Sequence, residues 1–446
     1  MSGTRKFFGT DGIRGQANTG AMTAEFIVKL AMASASFFKR GYYRHTVVIG
    51  KDTRLSGYMI ESALEAGFTS MGFDVILLGP IPTPAVALLT RSLRADLGVM
   101  ISASHNPYSD NGIKFFGPDG YKLSDEVELS IEKSMEESVA LPSYSDLGRA
   151  RRLEDTTGRY IEFAKSTFPK SLRLDGLKIV VDAAHGAAYK VASAALWELG
   201  AEVISIGNQP NGLNINDQCG ATHPEFAKKI LLEQAADLAV ILDGDADRLV
   251  MVDHQGNTLD GDKILALIAT HLFEKNSLKG GAVVATQMSN LGLERYIKSL
   301  GLDFIRTNIG DRYVIEAMHQ HACNLGGEQS GHMILHDHTT TGDGLIAALQ
   351  VLAVMREQEK NLAEMAHIYT SVPQITHNVT LKKSVDLEEP NIQELLQMAQ
   401  AKIGPSGHLL VRASGTEPVM RLMAQGDDLQ TLTHVIQELS DYFSHL

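Results

Sequence analysis

The sequence predicts an α/β protein: three similar α/β domains with mixed or parallel sheets, and a smaller C-terminal α+β domain, around one central cleft. Three observations predict it. The chain has 446 residues, too many for one ordinary domain. A strand, a helical stretch ending at a glycine, and a second strand recur three times. Each repeat then reaches another apolar strand that runs into a polar loop rich in chemistry.

The elements read in order. The first strands of the repeats are 46–50, 177–182 and 282–286. The helical stretches end at Gly72, Gly200 and Gly301, residues suited to closing a helix in the left-handed conformation. The second strands, 74–78, 202–206 and 303–306, start at once. The third strands share a frame: Ala95-Asp96-Leu97 leads into Ser102-Ala103-Ser104-His105-Asn106-Pro107, Ala236-Asp237-Leu238 into Asp243-Gly244-Asp245-Ala246-Asp247-Arg248, and Cys323-Asn324-Leu325 into Gly326-Gly327-Glu328-Gln329-Ser330-Gly331-His332. Strands alternating with helices imply parallel sheets with right-handed crossovers, and ligands on such sheets bind at the carboxyl ends of strands. The last segment differs. It reads as an alternating strand at 375–381, a helix from Asn391, a strand at 408–412, a strand at 419–424 and an amphipathic helix from about Leu429. Expected boundaries are 1–157, 158–259, 260–371 and 372–446, with linkers near 156–158, near Asp260 and at 371–374.

Composition narrows the function. The net charge of −13 argues against nucleic acid as a partner, since phosphate backbones attract a basic face. Cys219 and Cys323 are the two cysteines, so neither a disulfide framework nor a zinc site is indicated. The first eleven residues lack the apolar stretch of a signal peptide, and no run approaches the length of a membrane span. A cytoplasmic protein with no membrane partner is expected. The pattern leaves monomer and homodimer open.

Six strings carry candidate chemistry, most with a bland rival. Ser104, beside His105, offers a hydroxyl nucleophile; such a serine is more often a turn or cap residue. Asn111-Gly112-Ile113-Lys114 would return an ammonium to the same pocket, or form a solvated Asn-Gly hairpin turn. Asp243, Asp245 and Asp247 crowd three carboxylates after an apolar strand. They repel one another unless a cation sits between them, and hard oxygen donors suit Mg²⁺. An EF-hand is disfavoured because Arg248 occupies its glycine position and His254 its closing glutamate position. Arg248 instead suggests an anion beside the metal. Glu328, Ser330 and His332 supply donors and acceptors of the kind sugar hydroxyls need, or cap a turn. Arg412 with Ser414, Gly415 and Thr416 combines a guanidinium fork, two hydroxyls and a flexible backbone able to cradle a phosphate. The run Gly9-Thr10-Asp11-Gly12-Ile13-Arg14-Gly15 is either a loop across a ligand or a flexible start docked on the first domain.

With these loops in order along one chain, the sequence resembles the α-D-phosphohexomutase superfamily, over essentially its whole length. The narrower resemblance, to the phosphoglucosamine mutase branch, is carried by 9–15, 182–189, 210–216, 220–223 and 327–332. The resemblance implies that Ser104 is carried as phosphoserine and that Asp243, Asp245 and Asp247, with the phosphoserine, hold one Mg²⁺ per active site. It implies that Glu328 and Ser330 bind sugar hydroxyls and that Arg412, Ser414, Gly415 and Thr416 grip the non-reacting phosphate. Arg14, Lys114 and His332 match the charged and acid/base residues near the transfer site. The implied reaction interconverts glucosamine 6-phosphate and glucosamine 1-phosphate through a sugar 1,6-bisphosphate, toward UDP-N-acetylglucosamine. Rivals are the same mechanism on glucose or mannose phosphates, and a haloacid-dehalogenase-type phosphatase with Asp243 as nucleophile. A third is a sugar-phosphate-binding protein without turnover.

Overall fold

A computed structural model describes residues 5–383, 385–413 and 418–445. Three mixed sheets and a fourth, fully antiparallel one follow one another along the chain. In the first, the parallel strands Asp74–Pro80, Thr46–Lys51 and Leu97–Ile101 lie side by side, and Asp110–Phe116 returns antiparallel to the last. The second repeats this with Glu202–Ile206, Lys178–Asp182, Leu238–Leu242 and the antiparallel Leu249–Asp253. The third uses Asp303–Thr307, Ala282–Thr286, Leu325–Gly327 and the antiparallel Met333–Leu335.

The helices Ser56–Ser70, Val191–Glu198 and Leu291–Ser299 make the first crossover of each repeat. Gly72, Gly200 and Gly301 follow them with φ of +88°, +106° and +79°, so the left-handed exit predicted for each helix is present. Each polar loop is the turn between the third parallel strand and the antiparallel return strand. All three are therefore the same turn, repeated at the carboxyl end of equivalent strands.

The fourth sheet orders Gln374–Thr380, Val419–Gln425 and His408–Ala413, covered by Pro390–Ile403 and Leu429–His445. Two expected linkers are structured. Residues 156–158 open the helix Thr156–Ser166, whose Thr156 hydroxyl donates to the Leu78 carbonyl (3.1 Å). Asp260 caps Gly261–Glu274 by accepting the Lys263 amide (3.1 Å). The N-terminal run docks on the first domain: Gly9 and Gly12 close a tight turn, and Ile13–Gln16 is an edge strand of the first sheet, with Arg14 opposite Gly112. Among the described residues both cysteines are free and buried, and no helix is long and apolar enough to cross a membrane.

The largest apolar core is shared. It runs from Val48 and Phe116 of the first repeat through Val181 and Leu242 of the second to Leu352 and Tyr369 beyond the third sheet. The C-terminal domain has its own cluster, from Val379 to Phe443.

Candidate active site

Glycine brings the first two loops into contact. A Cβ on Gly244 would stand 2.5 Å from the Ser104 carbonyl oxygen, so the aspartate loop passes under the serine loop only because residue 244 has no side chain. Ser104 itself has φ +52°, a left-handed conformation uncommon for a side-chain-bearing residue. The turn that imposes it aims Oγ at Asp243, to whose Oδ2 it donates at 2.6 Å. Backbone strain of this kind clusters where a loop is held by many partners.

Two of those partners, Asp52 and Arg54, are residues that the sequence did not point to. Arg54, fully buried, donates to the carbonyls of Ser104 (2.9 Å), Asn106 (2.9 Å) and Pro107, and its Nε pairs with Asp52 (2.9 Å). Asp52 also accepts from the Ser102 hydroxyl (2.6 Å), and that hydroxyl accepts the Ser104 amide (2.9 Å). From the second domain, Asn216 donates to the carbonyls of Ser104 (2.9 Å) and Asn106 (3.1 Å). One signal was available: Asp52-Thr53-Arg54 also follows the carboxyl end of a parallel strand, Thr46–Lys51.

Asp243, Asp245 and Asp247 are all buried, and one ligand atom from each lies within 4.8 Å of the others. Burial, then the charges of Asp247 and Asp245, push the Asp243 carboxyl up to about 8. Asp245 accepts from the Thr83 hydroxyl (2.5 Å) and from Lys114 Nζ (2.8 Å), while Asp247 faces Lys114 at 3.3 Å. One oxygen each of Asp245 and Asp247 remains buried without a hydrogen-bond partner. Three converging carboxylates with two oxygens free of hydrogen bonds could hold a metal ion, and all-oxygen donors fit Mg²⁺.

Lys114 lies inside the strand Asp110–Phe116, so Asn111-Gly112 is not a solvated turn. Gly112 is packed so closely that a Cβ would lie 2.6 Å from the Ser102 carbonyl oxygen. Burial alone would lower the Lys114 ammonium, but Asp11 (3.1 Å), Asp245 and Asp247 outweigh it and hold it well above its usual value. Asp11, from the Gly9–Gly15 run, is the opposite case: burial would raise it, yet Lys114, Lys122 and Arg14 keep it well below the carboxylate range. Lys122 carries this network into the third domain through Asp311 (2.5 Å).

The third loop joins the second through backbone. The Leu249 amide donates to the Gly331 carbonyl (3.0 Å), and Arg248 and His332 form a short antiparallel bridge. Gly331 has φ +94°, and a Cβ there would meet the Leu249 oxygen at 2.2 Å. His332 stands between Asp247 (3.6 Å from Nδ1) and Asp311 (3.4 Å from Nε2). The Gly342 amide also points at Nε2 (3.2 Å), which alone would favour a neutral ring. Burial acts in the same direction, but the two carboxylates prevail and push the imidazole up to about 9. His105 behaves oppositely. Burial, then Arg248 and Arg14, lower it to about 4, so it is neutral at neutral pH, with Nδ1 3.5 Å from Ser104 Oγ. Glu328 is raised by burial and accepts the Gly310 amide (3.2 Å), whereas Ser330 is exposed at the loop tip.

The fourth loop is only partly in view. Arg412 is the penultimate residue of the strand His408–Ala413, opposite Arg421, and burial followed by that neighbour lowers its guanidinium. Ser414, Gly415 and Thr416 lie outside the described residues.

The chain matches four domain models described as phosphoglucomutase/phosphomannomutase: α/β/α domain I over 5–140, domain II over 158–256, domain III over 260–372 and the C-terminal domain over 352–441. It is 57% identical over 443 residues to a phosphoglucosamine mutase of Parvibaculum lavamentivorans, covering 99% of both chains. It is 59% identical over 431 residues to the phosphoglucosamine mutase of Paramagnetospirillum magneticum, covering 95% of each. Among solved structures, a putative phosphomannomutase from Thermus thermophilus superposes with a TM-score of 0.78 at 25% identity, covering 99% of this chain and 100% of that one. With the serine, aspartate and glutamate loops meeting in one place and these matches spanning nearly the whole sequence, the chain belongs to the phosphoglucomutase/phosphomannomutase family, among its phosphoglucosamine mutases.

Proposed function

We propose that this chain interconverts glucosamine 6-phosphate and glucosamine 1-phosphate, with Ser104 carrying the phosphoryl group and a glucosamine 1,6-bisphosphate as intermediate. The observation that carries the reading is the Ser104 hydroxyl 2.6 Å from Asp243, beside two carboxylate oxygens without partners. Asp243, Asp245 and Asp247 would hold Mg²⁺, which supplies charge neutralisation of the transferring oxygens when bound.

The chain's own residues do the rest. Arg54 and Asn216 fix the serine loop so that Oγ presents one direction to the cleft. In the forward transfer the bond from Ser104 Oγ to phosphorus breaks as a sugar hydroxyl oxygen bonds to phosphorus. The proton that this hydroxyl loses is matched by the one Ser104 Oγ gains, and Ser104 gives it up again, to the sugar oxygen that is freed, when the bisphosphate returns a phosphoryl group. His105, neutral and adjacent, is able to hold that proton near Oγ. Arg14, Lys114, Arg248 and His332 contribute positive charge around the phosphoryl group, and Lys114 and His332 are kept protonated by their carboxylate neighbours. Glu328 and Ser330 are assigned to the sugar hydroxyls, and Arg412 with Ser414, Gly415 and Thr416 to the phosphate that is not reacting. The bisphosphate then turns end for end and returns its other phosphoryl group to Ser104. A small anionic substrate and a cytoplasmic location fit this role.

The test is a panel of glucosamine, glucose and mannose 6-phosphates, assayed with catalytic 1,6-bisphosphate and Mg²⁺. Glucosamine 6-phosphate is expected to turn over fastest and to yield the 1-phosphate. Release of inorganic phosphate in place of isomerisation would favour a phosphatase using Asp243. Turnover confined to glucose or mannose phosphates would reassign the substrate.

A further inference from the structure

Three glutamine side chains form a continuous line from the Glu328 loop to the C-terminal domain. Gln329 follows Glu328 directly, and its Oε1 accepts from Gln374 Nε2 at 3.2 Å. Gln374 Oε1 in turn accepts from Gln425 Nε2 at 3.1 Å. Gln374 opens one strand of the C-terminal sheet and Gln425 closes its neighbour, and the two are paired in register. Gln425 is fully buried and uses both ends of its amide. Its Oε1 accepts the Leu291 amide (2.8 Å), and its Nε2 also donates to the carbonyls of Ser289 (3.2 Å) and Met288 (3.4 Å).

The partners of Gln425 sit on a stiff platform. Residues 287–290 follow the carboxyl end of Ala282–Thr286, the third-sheet counterpart of the strand that positions Arg54. Arg306 donates to the Ser289 carbonyl (2.8 Å) and pairs with Glu294 (2.8 Å), much as Arg54 gathers the Ser104 loop. Asn290 clips the connecting segment, exchanging two 3.0 Å hydrogen bonds with the backbone of Val372. Several hydrogen bonds thus cross this junction, and a shift of the C-terminal domain would have to break them together.

We infer that Gln329, Gln374 and Gln425 act as positioning residues, an amide relay that sets the angle of the C-terminal domain relative to the Glu328 loop. The inference rests on the mutase reading above. In that reading the Glu328 loop holds the sugar and Arg412, on the strand beside Gln425's own, holds the distal phosphate. A relay joining those two sites keeps the bisphosphate gripped at both ends while it reorients.

Two measurements on the full-length protein test it. Gln374→Ala removes the middle member, which does not touch Leu291. If the relay is continuous, amide hydrogen exchange at Leu291 should speed by about tenfold, the effect of losing one net hydrogen bond. Unchanged exchange at Leu291 would overturn the relay. The second measurement is the fraction of 1,6-bisphosphate that escapes per turnover. Gln425→Glu keeps the shape but faces a carboxylate against the three acceptors now served by Nε2. Both variants should raise bisphosphate escape severalfold while the first phosphoryl transfer from phospho-Ser104 stays near wild type. A fall in turnover or melting temperature with the escape fraction unmoved would mean that the glutamines only hold the fold together, and would overturn the inference. If wild type neither isomerises nor forms bisphosphate, the mutase reading falls, while the exchange result still decides the relay.

Discussion

The seam between the first and second domains and the seam between the third and fourth join their halves with different materials. At the first, apolar side chains from three domains merge into one core, and Arg54 and Asn216 fasten the serine loop from both sides. At the second, two separate apolar clusters face a polar strip of glutamines and asparagine, finished by the exposed Arg295–Asp427 pair (2.6 Å). Large apolar interfaces resist relative motion, whereas small polar ones permit it. The reacting groups are thus set in the rigid part, and the domain assigned to hold whichever phosphate is idle hangs from the polar one.

Five substitutions would break or sharpen this contrast. The largest effect is expected from Ser104→Ala, which should lower mutase turnover on the order of 10³-fold or more. Near-wild-type turnover would move the nucleophile elsewhere, to Asp243 first. Arg54→Ala should come next. It leaves Asp52 buried without its ion partner and removes one donor from each of three loop carbonyls, a loss of about 3–5 kcal/mol in chemical denaturation. A loss below about 1 kcal/mol, the size typical of surface pairs, would refute the rigid-seam reading.

Asp343 tests the same rigid region through pH. It caps Gly344–Gln358, accepts the Tyr160 hydroxyl (2.9 Å), and burial pushes its carboxyl from 3.8 up to about 7. The folded state therefore holds this proton more tightly than the unfolded one. Its stabilising contribution is complete below pH 3.8 and is lost as pH rises toward about 7. Asp343→Asn should accordingly gain melting temperature relative to wild type as pH rises through that window, then run parallel above it. A difference independent of pH would contradict the assignment.

On the polar side, Arg412→Ala should raise KM for both sugar monophosphates by a similar factor, about ten to a hundred, from losing about 1.5–3 kcal/mol of charge-assisted hydrogen bonding. Loss for one monophosphate alone would show a site that reads one end of the sugar. Arg295→Ala should be the mildest. As an exposed pair it is worth about 1 kcal/mol or less, so melting should barely change.

What the sequence made legible follows from periodicity and local chemistry. The repeats, their terminating glycines and the three loops stood out because each is a contiguous string with its own strand, helix or turn signal. Asn111-Gly112 was ambiguous for the same reason: its local turn signal is overridden by an edge strand, Ile13–Gln16, arriving from a hundred residues away. Arg54 and Lys122 carry no local signature, and their roles appear only when the fold sets them against Ser104 and Asp311. The glutamine relay was hidden more deeply, since its three members lie in different segments and glutamine is an ordinary surface residue.

The most direct test of the account is to treat the protein with a sugar 1,6-bisphosphate and Mg²⁺, then map the modification by peptide mass spectrometry. The account predicts one added phosphoryl group, on Ser104, that disappears on chase with glucosamine 6-phosphate as bisphosphate forms. A phosphoryl group on Asp243, or an unmodified Ser104 in protein that is turning over, would contradict it.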